Sequence, residues 1–201
     1  WERASTNFAL PIPDEKRISS QRKWYLKHPE YMARVVKRAK PFLYYIVEEI
    51  EKRDMPMELV LLPIVESAFA PFAYSHGRAA GMWQFIPGTG KRFGMPQNWW
   101  YDGRRDVVAS TKGALDYLTY LNDMFDGDWL HALAAYNSGE GRVQRAIKAN
   151  IRAGKPTDFW NLNLPKETRA YVPKLLALAD ILKNKDEYAY SWPEVENVAV
   201  I

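Results

Sequence analysis

The chain has 201 residues, 47% hydrophobic and 26% charged, enough to bury one good core and too apolar for wholesale disorder. A net charge of +4 is compatible with an anionic polymer as partner but is no nucleic-acid signature. The lack of cysteine excludes disulfides, thiolate nucleophiles, zinc–cysteine sites and iron–sulfur clusters. No run approaches the roughly 18 apolar residues of a membrane span. The chain opens on Trp1 with neither Met nor a signal-like segment, so it reads as a processed or trimmed piece whose anchor, if any, lies outside it.

Residues 1–28 carry Pro11, Pro13 and several charges without clean periodicity, and read as an extended lead-in that turns into helix. From Pro29 the spacing of Val35, Val36, Leu43, Ile46, Val47 and Ile50 is helical, with Pro41 either kinking one helix or starting a second. A third helix is expected to begin near Pro56, run through Glu66 and end before Pro71. The irregular stretch "YSHGRAAGMWQFIPGTGKRFG" suggests a small hairpin or tight loop, with Thr89 capping a short helix after it. Amphipathic helices follow in "RRDVVASTKGALDYLTYLNDMF", "GDWLHALAAYNSG" (ended by Asn137 and Gly139), "EGRVQRAIKANIRAG" and "LPKETRAYVPKLLALADILKN". The tail "DEYAYSWPEVENVAVI" reads as a strand or a linker. The expected divisions are a lead-in with packing helices at 1–54, a catalytic domain at 55–184 and a tail at 185–201.

Several familiar chemistries can be set aside. His28, His76 and His131 lack metal-ligand spacing, "GTGK" at 88–91 lacks the upstream Gly and the Ser/Thr of a phosphate loop, and no Ser sits in an elbow motif. What stands out is "LLPIVESAF" at 61–69, an apolar run interrupted by Glu66. A helical Glu ordinarily points to solvent. Here Pro63 is expected to perturb the helix where Glu66 sits, and apolar neighbours on both sides favour a protonated carboxyl suited to general-acid work. A loop rich in Ser, His, Gln and aromatics follows, as recognition of a polar polymer requires.

Four motifs then resemble, in order, those of the lytic murein transglycosylases of family 1, most closely its D group. They are "ES" at 66–67, "GMWQFIPGT" at 81–89, "AYNSG" at 135–139 and "TRAYVPKLL" at 168–176. Trp83 stands where many members carry Met, and Met82 where they carry Leu. The resemblance implies a mainly α, lysozyme-like (α+β) fold with at most a small β-hairpin, and a cleft for peptidoglycan glycan strands. It implies non-hydrolytic cleavage of the β-1,4 bond between N-acetylmuramic acid and N-acetylglucosamine, leaving a 1,6-anhydro end. Glu66 would act first as acid and then as base, helped by the substrate's acetamido group in place of a second carboxylate. Asp102 and Asp106, beside Arg104 and Arg105, read as ion-pair or helix-cap residues instead.

The resemblance also assigns substrate contacts, each with an ordinary structural alternative. Ser75 would touch the N-acetyl group or merely cap a turn. Gln84 would bind sugar or orient Glu66, or lie on the surface. Of Met82, Trp83 and Phe85 at least one would line a subsite, Met82 being the chosen candidate, and Gly81 would let a glycan approach the backbone. Tyr136 would contact sugar or pack. Asn137 would bind sugar or end its helix in the left-handed conformation. Tyr171 would bond Glu66 or the acetamido group, or be a half-buried helix Tyr. No cofactor or metal and no nucleic acid is implied. The expected state is a bacterial periplasmic monomer, held at the outer membrane only through a segment outside this chain. The competing readings are a muramidase that uses water with the same Glu, and a non-catalytic peptidoglycan-binding module.

Overall fold

The structure is a computed structural model that describes residues 1–200. The described residues form ten α-helices: α1 (Glu2–Ser5), α2 (Lys16–Lys27), α3 (Pro29–Ala39), α4 (Leu43–Lys52), α5 (Leu62–Ser67), α6 (Pro87–Arg92), α7 (Val107–Met124), α8 (Trp129–Ser138), α9 (Glu140–Arg152) and α10 (Lys166–Lys183). Extended pairing among the described residues is limited to isolated bridges at Tyr74–Ala80, Ala80–Phe85 and Gln97–Asp102. Two compact units emerge, one of Trp1–Ala114 with the chain from Lys174 onward, the other Leu115–Pro173.

In the first unit the expected extended lead-in is helical at α1 and α2. Only Ile18 and Tyr25 of α2 are buried. Two residues seven apart hold one stripe of a helix, too sparse a pattern to show as periodicity. Pro41 separates two helices: α3 ends at Ala39 and α4 starts at Leu43. The helix expected from Pro56 through Glu66 is also divided, into a 3-10 turn over Met57–Leu61 and the six-residue α5. A continuous helix would set the Pro63 ring against the Leu59 carbonyl and waste that acceptor. Restarting at Leu62 puts Pro63 in the first turn, where no intrahelical donor is needed. The disturbance therefore lies upstream of Glu66. Thr89 sits inside α6, whose first residue is Pro87, and does not cap it.

The 3-10 turn is fully buried from Met57 to Leu61 and packs on α1, α4 and α5. It includes Glu58, which has no exposed surface and accepts the backbone N–H groups of Ala9 and Leu10. A buried carboxylate stays tolerable when donors converge on it. Here those donors come from the loop between α1 and α2, so Glu58 fastens the lead-in to the core. Among the described residues the tail forms no strand, and it is not a free linker either. Tyr190 and Trp192 are buried, and Trp192 meets Trp1 edge-on at 5.4 Å.

In the second unit α8 buries Leu133 and three alanines, Ala132, Ala134 and Ala135, whose small side chains let α9 and the 3-10 turn Phe159–Asn161 pack closely. Asp128 caps α8 by accepting the His131 N–H, and Asn150 closes the following loop by donating to Pro156 O and Asn161 O, both at 2.8 Å.

Glu58→Ala leaves two amides without their acceptor and opens a void in the core. We expect it to lower stability by about 2–3 kcal/mol, read as a lower urea midpoint, with Glu58→Gln recovering part of the loss.

Candidate active site

Helix α5 buries Ile64 and leaves Glu66 half-buried near its end. The helix stops because Ala68 and then Phe69 turn left-handed, with φ of 52° and 59°. Their N–H groups bond back to Ile64 O and Pro63 O, a paired cap in which Gly is the usual residue. Each such non-Gly residue costs on the order of 1 kcal/mol. Full burial of Phe69 and a 3.0 Å bond from Arg38 to Ala68 O help to hold the turn. Four of the seven non-Gly residues with positive φ lie between 68 and 84, so backbone strain gathers around Glu66 and the loop after it.

That loop is fastened at several points. Ala80 and Phe85 exchange both backbone hydrogen bonds, 2.9 and 3.1 Å, which closes Gly81–Gln84 into a four-residue turn. Ser67, next to Glu66, donates to Met82 O at 2.8 Å and ties the acid's helix to this turn. Trp83 donates through Nε1 to Thr111 at the start of α7, 3.1 Å. Beneath the turn lies Arg104, 6% exposed. It donates to Arg78 O (2.6 Å) and Phe85 O (3.1 Å) and makes a two-pronged pair with Asp102, Nη2–Oδ2 2.7 Å and Nε–Oδ1 2.9 Å. Gly81 has φ +83°, and a Cβ there would stand 1.7 Å from the Arg104 carbonyl oxygen. The missing side chain of Gly81 thus makes room for the Arg104 carbonyl.

Hydrogen bonding to Arg104 holds the Asp102 carboxyl below its ordinary pKa. Asp106 instead caps α7, accepting the Ala109 N–H at 2.8 Å, and receives the Tyr101 hydroxyl at 3.0 Å. The ion pair and the helix cap read from the sequence are both present, one on each acid.

Ser75 caps its turn: Oγ accepts the Ala79 N–H at 3.1 Å. Gln84 is half-buried with φ 54°, its amide donating to Gly81 O at 2.7 Å. Met82, Trp83 and Phe85 are 1%, 0% and 3% exposed, so all three side chains belong to the core. Met82 communicates with the acid's helix through its carbonyl alone.

In the second unit Asn137 lies within α8, not at a left-handed end, which corrects the helix-ending reading; the helix closes on Gly139. Asn137 accepts from Thr168 at 2.8 Å and donates to Glu167 at 3.3 Å, both on α10. Tyr171, three residues beyond Thr168 and so on the same helix face, is buried rather than half-buried. Tyr136 is half-buried with its ring 5.5 Å from that of Tyr117.

The Ser67 hydroxyl and the bonds from Arg104 to Arg78 O and Phe85 O have no motif in the sequence. Gly81 is the one local hint that two backbones meet here. A cavity of about 370 Å³ walled by Trp1, Tyr44 and Trp192 lies against the first and last segments and includes no candidate site residue. Among the described residues no group of three His, Asp or Glu could hold a metal ion.

The geometry of Arg104 makes two outcomes testable. Gly81→Ala forces its carbonyl aside at a left-handed position and should cost about 2–3 kcal/mol, seen as a lower melting temperature. Because the Asp102 pKa is depressed on folding, its contribution is full above the unfolded value near 3.8 and is lost as pH falls through the folded value. Thermal melts should therefore show an acid limb below about pH 4. Asp102→Asn should lower stability at neutral pH by about 1–2 kcal/mol and flatten that limb.

Residues 44–159 match the model of the transglycosylase SLT domain. The chain is 54% identical over 196 residues to membrane-bound lytic murein transglycosylase D of Escherichia coli strain K12, covering 98% of this chain and 43% of that protein. It thus spans less than half the length of that curated relative. Among solved structures it resembles an inactive mutant of the lytic transglycosylase Slt of Pseudomonas aeruginosa, with TM-score 0.51 and 25% identity over 73% of this chain and 24% of that one. It also resembles the 70 kDa soluble lytic transglycosylase of Escherichia coli, with TM-score 0.52 and 20% identity over 88% and 32%. The fold is the mainly helical, lysozyme-like one of these enzymes, and the chain belongs to the transglycosylase SLT domain family.

Proposed function

We propose that the chain is the catalytic part of a lytic transglycosylase that cleaves peptidoglycan between N-acetylmuramic acid and N-acetylglucosamine and leaves a 1,6-anhydro end. The observation that carries this reading is the setting of Glu66. It is a half-buried carboxyl on a strained helix end, joined through Ser67 to a braced loop that carries Ser75 and Gln84. The Pseudomonas aeruginosa relative, an inactive mutant with Gln in place of one Glu, supports an acid of this kind.

In this mechanism Glu66 in its acid form gives its proton to the glycosidic oxygen as the C1–O bond breaks. The acetamido oxygen of the muramyl residue stabilises the developing positive charge at C1, the part a second carboxylate plays in ordinary glycosidases. The resulting Glu66 carboxylate then takes the proton from the C6 hydroxyl, and O6 bonds to C1. One proton is given and one is taken, so no water is consumed and the carboxyl returns to its starting form. A half-buried position suits this cycle, because a single group must pass between both forms near working pH.

Ser75 uses its oxygen as an acceptor, and its hydroxyl has no acceptor among the described residues. Its proton is thereby left for the acetamido carbonyl. Gln84 commits its NH₂ to Gly81 O and can turn its carbonyl toward a sugar hydroxyl. Met82 acts by holding Ser67. The resemblance gives Tyr136, Asn137 and Tyr171 to substrate binding as well. Residues 55–184 form the catalytic domain in this reading, the protein works as a monomer in the bacterial periplasm, and association with the outer membrane is left to parts outside this chain. No helix among the described residues is long and apolar enough to cross a membrane.

The test is product analysis on purified sacculi. Wild type should release muropeptides with anhydro ends, each lighter by one water than a reducing-end product. Glu66→Gln should reduce release by about 1000-fold or more. Reducing-end products would make the chain a muramidase, and undiminished release by Glu66→Gln would remove the carboxyl from the mechanism. Ser75→Ala should lower kcat by about tenfold with the fold unchanged.

A further inference from the structure

Against α5 lies a cavity of about 270 Å³ whose lining includes none of the substrate contacts assigned above. Ile64 and Val65 of α5 form one side of it, so its wall ends one residue before Glu66. Trp24, Tyr25 and Tyr31 of α2 and α3 form another, and Gln21 and Lys174 complete it. At this size, near the low end of the roughly 300–1,000 Å³ of small-molecule sites, it takes one ring-sized group and not a length of polymer.

The aromatic wall is arranged before any ligand arrives. His28 stacks on Trp24 at 4.2 Å and 19°, while Tyr25 and Tyr31 meet the indole at near right angles, 5.3 and 5.4 Å. His28 Nδ1 is fixed in turn on the Trp24 carbonyl at 2.7 Å. One indole face is thus covered, yet Trp24 is still 45% exposed.

The polar groups are the more telling part. Among the described residues, the Gln21 amide, the Tyr25 and Tyr31 hydroxyls and the Lys174 ammonium make no hydrogen bond or ion pair. Tyr25 is 5% exposed. Gln21, Tyr31 and Lys174 are half-buried, so four polar side chains with hydrogen-bonding capacity to spare converge on a single cavity and suit a polar occupant. Burial raises the Tyr25 hydroxyl well above its ordinary pKa, so it remains a donor throughout the working range. The only charge on the lining is the Lys174 cation.

We propose that this cavity is a saccharide subsite for one carboxylate-bearing sugar of the muramyl type. The ring lies against the free face of Trp24, its hydroxyls meet Gln21, Tyr25 and Tyr31, and its acidic substituent meets Lys174. This rests on the transglycosylase reading, which makes the glycan strand the ligand; the cavity wall includes Val65, the residue before Glu66. The helical lead-in then has a role in binding, since α2 and α3 supply the aromatic half of the subsite. The carboxylate can come from the lactyl group itself or from a stem peptide attached to it, and the two sources are distinguished by the ligands below.

Binding is measured with Glu66→Gln, which removes turnover from the readout, on three ligands by titration calorimetry. They are neutral chitooligosaccharides, glycan strands stripped of peptide by an amidase, and peptide-bearing glycan strands. Lys174→Met should weaken binding of the acidic strands about tenfold and leave chitooligosaccharide binding unchanged. Loss on the stripped strands assigns the lactyl carboxylate, and loss confined to peptide-bearing strands assigns the peptide. Trp24→Ala should weaken all three ligands about fivefold or more. Gln21→Ala, at a half-buried position outside the aromatic cluster, is the variant to use if Trp24→Ala does not fold. If Lys174→Met shifts acidic and neutral ligands equally or not at all, the assignment is overturned. That result is separable from failure of the enzymatic reading, which shows as the absence of anhydro products from wild type.

Discussion

One buried guanidinium holds the candidate site together. Arg104 reaches across to the carbonyls of Arg78 and Phe85, while its own carbonyl occupies the space that any side chain at position 81 would need. The 78–85 turn has no sheet or helix of its own to stabilise it, and its residues include left-handed Arg78 and Gln84. Such a turn keeps one conformation only if its backbone acceptors are met from outside. Asp102 makes this possible, because an unpaired guanidinium at 6% exposure would be more costly than the two carbonyl bonds could offset. Glu66 depends on the same framework at one remove: Ser67 leans on Met82 O, and Met82 belongs to the turn that Arg104 holds.

The mechanism proposed above differs from that of an enzyme that places two carboxylates across a bond. With Glu66 as sole acid, it asks the loop to position the substrate's own acetamido oxygen as well as the protein's side chains. The concentration of strained backbone between Ala68 and Gln84 is consistent with that demand, since strain persists only where surrounding contacts over-determine the conformation.

Much of this was legible in the sequence, and unevenly. The motifs marked Glu66, Ser75, Gln84 and the long helices because those signals are local: an acid in an apolar run, turn residues, period 3.6. The break between the 3-10 turn and α5 was legible in principle, since Pro63 cannot follow Leu59 in one helix. The bracing by Arg104 was not, although its pair with Asp102 was: the carbonyls it bonds lie 19 and 26 residues away, and nothing local shows that its charge is buried. Asn137 looked like a helix end by residue type, and only the contact with Thr168, 31 residues on, shows that it joins two helices. The cavity beside α5 was the least visible of all. Its polar residues look like ordinary surface groups until Trp24, Val65 and Lys174 are brought to one place.

The carboxylate of Glu58 has a consequence for descent. Its acceptors are satisfied by amides of the segment just before α2, so the acid and that segment need each other. A relative that has lost the lead-in keeps a buried charge with nothing to bond, and selection there favours an apolar residue at the same place. A relative that retains the acid has reason to retain the segment. One letter in the core and a stretch of chain some fifty residues before it would thus be kept or lost together in descent.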